Sequence, residues 1–175
     1  MTDHQKHPLI SRLEALADES APDRGKLATL RRAIQDPIEA YPIVLPFLRV
    51  NVSNSELDRY ALLAALFALH PKSGDTGNMG VHMRQAAGDS VEATERRFVN
   101  LLRSSLDDLP FLLRQSVSFI RSRDGVVINW EQLRKDLLYW DHPDRFVQKN
   151  WARGFWGYQS ESKEEHEPNQ QNKEN

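Results

Sequence analysis

Arginines recur among large apolar residues between residues 95 and 157, with a spacing that suits binding of a polyanion. Arg96 and Arg103 are seven residues apart, as are Arg114 and Arg121, so each pair shares one side of a helix. Guanidinium groups about two helical turns apart (~10.5 Å) can follow a phosphate backbone. Because no residue of this stretch has the setting of a nucleophile or a metal ligand, the stretch indicates a polyanion-binding surface.

This stretch is locally basic although the whole chain is slightly acidic. The formal net charge is −2, and residues 158–175 contribute −3 of it through five Glu and two Lys. Between Arg96 and Arg123, six Arg face only Asp107 and Asp108, a local charge of +4. This distribution argues against a histone-like binder and permits contact with nucleic acid. Solvated helix faces explain the same pattern equally well.

Length and composition indicate a cytoplasmic globular protein. A chain of 175 residues is long enough for one large domain or two small ones. Cysteine is absent, which excludes disulfides and thiolate chemistry and fits a reducing compartment. The N-terminus has no apolar signal region, and no apolar run reaches transmembrane length. We therefore predict no association with membranes.

Enzyme signatures are weak, and the predictions are no catalytic residue, no metal and no cofactor. The residues Asp141–Asp144 (Asp-His-Pro-Asp) have the spacing of a helix start, so Asp141 is interpreted as a cap and not as an acid–base group. The glycines match neither a P-loop nor a dinucleotide-binding motif, and no G-x-S-x-G occurs. The four Trp stand at helical spacing beside apolar residues, which indicates core positions more than base stacking.

Helical patterns follow one another along the whole chain. In the first half we predict a helix from Pro8, a helix over residues 26–35, short turns through the prolines of residues 36–46, and an apolar helix ended by His70. A glycine-containing loop over residues 72–80 and a short helix with Arg84 complete this half.

The second half of the chain is divided into helices in the same way. Ser90, Asp107 with Asp108, Asn129 and Asp141 are predicted to cap four further helices, each with an apolar inner stripe. Residues 126–128 form at most a short extended link. The prediction is an all-α fold of two small bundles packed together, over residues 1–89 and 90–157, with a disordered tail over residues 158–175.

Several short segments are informative through their order. They are Gly25–Ala33, Gly80–Arg84, Glu95–Leu102, Leu113–Gln115, Ile128–Leu133 and Leu137–Trp140. In this order they resemble the CasB family, the small subunit of the type I-E CRISPR surveillance complex called Cascade. The resemblance covers about residues 8–157, and no single segment is diagnostic by itself.

The resemblance implies a non-enzymatic, all-helical subunit in antiviral defence. Two CasB-like copies pack head to tail along Cascade, beside the crRNA-bearing CasC backbone and between CasA and CasE. They help hold the crRNA–target DNA duplex and the displaced strand of the R-loop through sequence-independent backbone contacts. The implied nucleic-acid contacts, carried over by motif, are Lys26, Arg31, Arg32, Arg84, Arg96, Arg97, Arg103, Arg114 and Arg121.

Some of these arginines have a second interpretation. Arg97 lies nearer the inner stripe of its helix than Arg96, a position that also suits an internal ion pair. Arg31 and Arg32 are adjacent and cannot both face one groove, so one of them is predicted to be structural.

Two other functions stay open at this point. A scaffold without nucleic-acid contact explains the Trp-rich terminus and the neutral body. A helix-turn-helix regulator requires a polar recognition helix, whereas the helices here begin with acids or apolar residues. Backbone contact predicts binding that weakens steeply with salt, and a scaffold shows no such binding.

Overall fold

The computed structural model describes residues 6–157, and the regular secondary structure of this range is helical, with loops between the helices and one isolated bridge between Ser73 and Ile128. The predicted all-α class is confirmed. The predicted tail lies outside the described residues. Nine α-helices form within the described range: α1 (Pro8–Leu16), α2 (Arg24–Arg32), α3 (Tyr41–Val44), α4 (Asn54–Leu69), α5 (Met79–Ala87), α6 (Val91–Arg103), α7 (Leu109–Arg121), α8 (Trp130–Leu138) and α9 (Phe146–Trp156).

Helix α4 is the central element because its sequence is apolar on nearly every side. All residues from 60 to 68 are buried, and the helix packs against α2, α7 and α8. It begins with a capping box, in which the Ser53 hydroxyl accepts from the Glu56 N–H at 3.2 Å and the Glu56 carboxylate accepts from the Ser53 N–H at 3.0 Å. It ends at His70, as predicted.

The proline-containing segment forms short turns, as predicted. Two 3₁₀ turns, Pro37–Ala40 and Leu45–Phe47, flank α3. The side chain of Asp36 caps the first turn by accepting from the Ile38 N–H at 3.2 Å. Prolines at the starts of these turns remove N–H donors that a continuous helix would need, so the chain bends here and covers α2 and α4.

Helices α5 and α9 pack closely through one glycine on each. A Cβ on Gly80 would collide with the carbonyl oxygen of Trp151, and one on Gly154 would collide with the side chain of Asn78. Only glycine allows this separation of the two backbones. The contact joins the end of the first half of the chain to its last helix.

The loop predicted over residues 72–80 is two residues shorter, because α5 begins at Met79. The side chain of Asn78 sets this start: its oxygen accepts from the Val81 N–H at 3.2 Å, and its amide donates to the Asn150 carbonyl at 3.1 Å. Gly80 is therefore a helix-packing residue and not a loop residue.

Helices α6 and α7 present the predicted inner stripes. The stripe residues that are fully buried are Phe98, Leu101, Leu113, Val117 and Ile120. Leu102 is only partly buried. The predicted side-chain caps were wrong, since neither Ser90 nor Asp108 caps a backbone N–H. The Asp108 carboxylate instead accepts from the Ser105 hydroxyl at 2.9 Å, so it binds a residue that precedes the helix.

Helix α8 follows the predicted pattern. The side-chain oxygen of Asn129 caps it by accepting from the Gln132 N–H at 3.0 Å. The preceding link is extended: the Ile128 N–H donates to the Lys72 carbonyl at 3.2 Å, and the Ile128 carbonyl accepts from the Gly74 N–H at 2.9 Å. The loop between α4 and α5 is thereby tied to the start of α8.

Helix α9 begins later than predicted, so capping by Asp141 was wrong. The residue before the helix is Arg145, whose φ of 50° lies in the left-handed region and interrupts the helical conformation. Asp141 is too early to reach the first N–H groups of α9 and pairs instead with Arg59 at 2.9 Å. Arg59 holds the pKa of the Asp141 carboxyl below its usual value.

Helices from both sides of residue 90 pack on one another, α5 on α9 and α4 on α7 and α8. Their buried side chains form one contiguous cluster. The division of the chain into bundles over residues 1–89 and 90–157 stays a prediction. None of the helices in residues 6–157 combines the length and apolar character needed to cross a lipid bilayer.

Candidate nucleic-acid interface

A groove between α6 and α7 contains two of the predicted arginines, Arg97 and Arg114. Its other lining residues are Phe111, Gln115, Ser118, Phe119 and Ser122. The apolar stripes of both helices point into the core, so these residues line the outer side of the helix pair. The groove presents guanidinium, amide and hydroxyl groups beside two phenyl rings, which are the groups that bind phosphate and stack on bases.

Two arginines are held on one aromatic ring in this groove. The guanidinium carbons of Arg97 and Arg123 lie 5.3 Å and 5.1 Å from the centre of the Phe119 ring. The ion pairs found within residues 6–157 do not include Arg97, so the alternative of an internal acid partner is not observed. Contact with a ring orients a guanidinium while leaving its N–H donors available for phosphate.

Arg96 and Arg103 line a second, separate depression on α6. Glu92, Glu95 and Asn100 lie beside them. Both arginines are exposed, and the ion pairs of the described range include neither of them. The predicted pairing of Arg96 with Arg103 on one side of a helix is thus seen, but two acids share that side. Their local field is weaker than that of the α6–α7 groove.

Arg84 and Arg121 occupy the last turns of α5 and α7, where a positive charge interacts favourably with the helix dipole. Arg121 is exposed and Arg84 is half-buried. Burial lowers the pKa of His70, and a hydrogen bond to the Val126 carbonyl opposes this shift. The positive charges of Lys72 and Arg121 add to the lowering. Arg121 does not line the α6–α7 groove.

The three basic residues predicted on α2 all have contacts inside the protein. Arg31 donates to the Ala68 carbonyl at 2.8 Å, in the last turn of α4. Arg32 pairs with Glu39 at 3.2 Å, and Lys26 pairs with the aspartate that caps its own helix at 3.0 Å. Arg31 has the structural contact expected for one member of the Arg31–Arg32 pair. The ion pairs Arg32–Glu39 and Lys26–Asp23 are exposed and therefore contribute little to stability.

Sequence reasoning missed two arginines. Arg123 shares the Phe119 ring with Arg97, and its position four residues after Phe119 was a readable signal. Arg59 is structural: its side chain is only 12% exposed, pairs with Asp141, and donates to the last two carbonyls of α8 at 3.2 Å and 2.6 Å. No local pattern identifies Arg59, because its partners lie almost eighty residues away along the chain.

The most buried carboxyl in the described range, Asp136, joins α8 to α9. It accepts from Trp151 Nε1 at 2.6 Å and from Gln132 Nε2 at 2.8 Å. Burial raises the pKa of Asp136, although these two donors oppose the shift. Both donors are structural groups, so the arrangement is that of a polar core contact. Within residues 6–157 no group of three or more His, Cys, Asp or Glu is arranged to hold a metal ion.

Three of the four tryptophans are core residues, as predicted. Trp130, Trp140 and Trp151 are at most 2% exposed. The prediction was wrong for Trp156, which is 48% exposed. Its Nε1 donates to Glu95 at 3.1 Å, and this contact holds the end of α9 against α6.

This all-α arrangement is shared with solved CRISPR-associated proteins. A crystal structure of a CRISPR-associated protein of the Cse2 family from Thermus thermophilus aligns with a TM-score of 0.75 at 29% identity, covering 86% of this chain and 96% of that one. A chain of a CRISPR RNA-guided surveillance complex aligns with a TM-score of 0.66 at 28% identity, covering 85% and 89%. Solved structures named CasB align as well.

The sequence agrees with this likeness. The family model of CRISPR-associated protein Cse2 matches residues 26–156. A CRISPR-associated protein Cse2 from Thermus thermophilus is 33% identical over 138 residues, which cover 74% of this chain and 78% of that protein. The chain therefore belongs to the Cse2 family, and the resemblance to CasB proteins is confirmed.

Proposed function

We propose that this chain is the non-catalytic small subunit of a type I-E CRISPR surveillance complex in the cytoplasm. In that complex it binds nucleic-acid backbone without reading sequence and stabilises the crRNA–target DNA R-loop. Its partners are crRNA, target DNA, the CasA, CasC and CasE subunits, and a second copy of itself. Membership of the Cse2 family and the likeness to a chain of an RNA-guided surveillance complex support this proposal.

The observation that carries the backbone contact is the α6–α7 groove. Arg97 is oriented by the Phe119 ring, and Arg114 lies across the same groove. Gln115 and Ser118 supply neutral donors between them, whereas the Ser122 hydroxyl donates to the Phe119 carbonyl at 2.6 Å. Such groups bind phosphates irrespective of base identity, so sequence recognition falls to guide–target pairing.

A pure scaffold is the second candidate, and one surface favours it. Tyr139 and Phe146 are 54% and 37% exposed, their rings lie 5.9 Å apart, and the His142 ring lies 5.0 Å from Phe146. Exposed aromatic residues of this kind are common in protein–protein interfaces. This surface is compatible with subunit contacts whether or not the arginines bind nucleic acid.

Co-expression with the neighbouring subunits and crRNA tests the assembly part of the proposal. We expect the chain to elute with the CasC-type subunits and RNA. Elution as free protein beside an otherwise complete complex would contradict it. The salt dependence of target binding, compared with and without this subunit, separates backbone contact from scaffolding: the subunit should make the slope of log K against log salt steeper.

A further inference from the structure

The last described helix ends against the basic half of the molecule. Trp156 donates from Nε1 to Glu95 at 3.1 Å, and its ring centre lies 5.5 Å from that of Phe98. The end of the described chain therefore lies beside α6, the helix that carries Arg96 and Arg103. The contact fixes where the remaining eighteen residues, 158–175, begin.

The sequence beyond this point has the charge opposite to that of α6 and α7. Residues 161–167 contain four Glu and one Lys, a net charge of −3 with His neutral. Residues 96–123 carry +4. Among the ion pairs of residues 6–157, none uses Arg96, Arg103 or Arg114. Residues 161–167 and residues 96–123 of the same chain therefore have complementary charges.

The acidic residues are close enough along the chain to reach the arginines of α6. Glu161 follows Gly157 by four residues, a span of up to about 14 Å in extended chain. Glu167 follows it by ten residues, for which a coil has a root-mean-square span of about 17 Å. Arg103 lies about 12 Å along α6 from the Glu95 contact of Trp156.

We propose that the acidic segment 161–167 binds the arginines of α6 and α7 and competes with nucleic acid for them. This rests on the proposed function of the same surface. Exposed ion pairs are individually weak and screened by salt, but attachment to the same chain gives the segment a high effective concentration. It disfavours weak, non-specific binding, while nucleic acid held in place by a complex displaces it.

A spin label tests the contact directly, without any nucleic acid. Because the chain has no cysteine, Ser162→Cys provides a single site for a nitroxide. We expect the label to broaden amide signals of α6 and α7 at low salt and to lose this effect at about 0.5 M salt. The matched control carries the same label with Glu161, Glu164, Glu165 and Glu167 changed to Gln. No broadening in the acidic chain, or equal broadening in the control, would overturn the proposal.

Binding of a fluorescent DNA duplex of arbitrary sequence gives the functional readout. The four-glutamine variant should bind about three- to ten-fold more tightly than the natural chain at low salt, with the difference vanishing at high salt. Equal affinities would overturn the competition and leave the proposed function standing. If neither protein binds DNA, backbone contact by the isolated subunit fails, and the label experiment alone decides the inference.

Discussion

Gly80 of α5 lies directly against the backbone of Trp151 in α9, so that no side chain fits between the two helices. The same helix pair is closed a turn further on by Gly154, which lies against Asn78. This junction holds the last helix, and with it Trp156 and the edge of α6, in place. The position of the candidate interface therefore depends on a glycine that lies outside both arginine-lined depressions.

Gly80→Ala should destabilise the protein by about 3 kcal/mol, because α5 and α9 must separate to admit the methyl group. Chemical denaturation monitored by circular dichroism measures this change. Gly25→Ala is the matched control: a Cβ there has only an ordinary contact at 3.7 Å with the Asp23 carboxylate, so stability should stay equal or rise by up to about 1 kcal/mol. Equal effects of the two changes would contradict the account of the junction.

Trp140→Ala should lower the free energy of unfolding by about 3–5 kcal/mol and yield an insoluble or poorly packed protein. The indole is 2% exposed and lies 4.9 Å from the Trp151 ring. Near-ultraviolet circular dichroism and solubility are the measurements. A variant that stays fully folded and loses only nucleic-acid binding would show that this residue stacks on bases.

The buried His82 should make stability fall with acid. Its Nε2 accepts from the Asn129 N–H at 3.1 Å, so the proton sits on Nδ1, which has no hydrogen-bond partner within the described residues. Burial lowers the pKa of His82 to about 4, against a smaller opposing effect of Gln85, which lies nearby outside hydrogen-bond geometry. The folded state therefore favours neutral histidine.

The sign of the pH effect follows from this depressed pKa. The stability contributed by neutral His82 is complete above about pH 6.5 and is lost as the pH falls through about 4, an effect on the order of 3 kcal/mol. His82→Gln, which keeps an acceptor, should flatten the loss of stability between pH 6.5 and 4. Parallel curves for His82→Gln and the natural chain would refute this prediction.

Deletion of residues 159–175 should leave the melting temperature nearly unchanged. These residues contain no aromatic or aliphatic side chain able to offset the entropy of ordering them. Differential scanning calorimetry at moderate salt is the check. A drop of many degrees would mean that the segment packs as part of the core and is not a weak electrostatic competitor.

Much of the fold was predictable because periodic apolar residues dominate burial. The inner stripes of α6, α7 and α9 and the bends at Pro37 and Pro42 follow from local rules, and so does the start of α8 at Asn129. The caps at Asp108 and Asp141 were wrong because Ser105 and Arg59 compete for the same carboxylate oxygens, and the Ser90 hydroxyl makes no cap hydrogen bond. Such competition depends on tertiary contacts that a sequence window does not contain.

The candidate site was predictable in composition but not in arrangement. Helical spacing paired Arg96 with Arg103, yet the groove pairs Arg97 with Arg114 across two helices. Contacts between helices depend on their relative rotation and depth, which periodicity does not specify. The stacking of Arg97 on Phe119 is a contact of this kind.

The central claim is that arginines of α6 and α7 hold nucleic acid in the assembled complex. The variant Arg103→Ala, Arg114→Ala removes one exposed arginine from each depression and opens no cavity, so stability should change by about 0.5 kcal/mol or less. Arg49→Ala, Arg153→Ala is the control, since those exposed arginines lie outside both depressions and have partners in Glu56 and Asn150.

The most direct measurement is R-loop formation by the complex on target DNA as a function of salt, with two unrelated guides. The account predicts normal assembly of the Arg103→Ala, Arg114→Ala complex, weaker target binding with both guides, and a salt slope reduced by about one unit for each phosphate that the variant no longer binds. The control variant should behave like the natural chain. Target binding by the double variant that equals the natural level at physiological salt, with an unchanged slope, would contradict the claim.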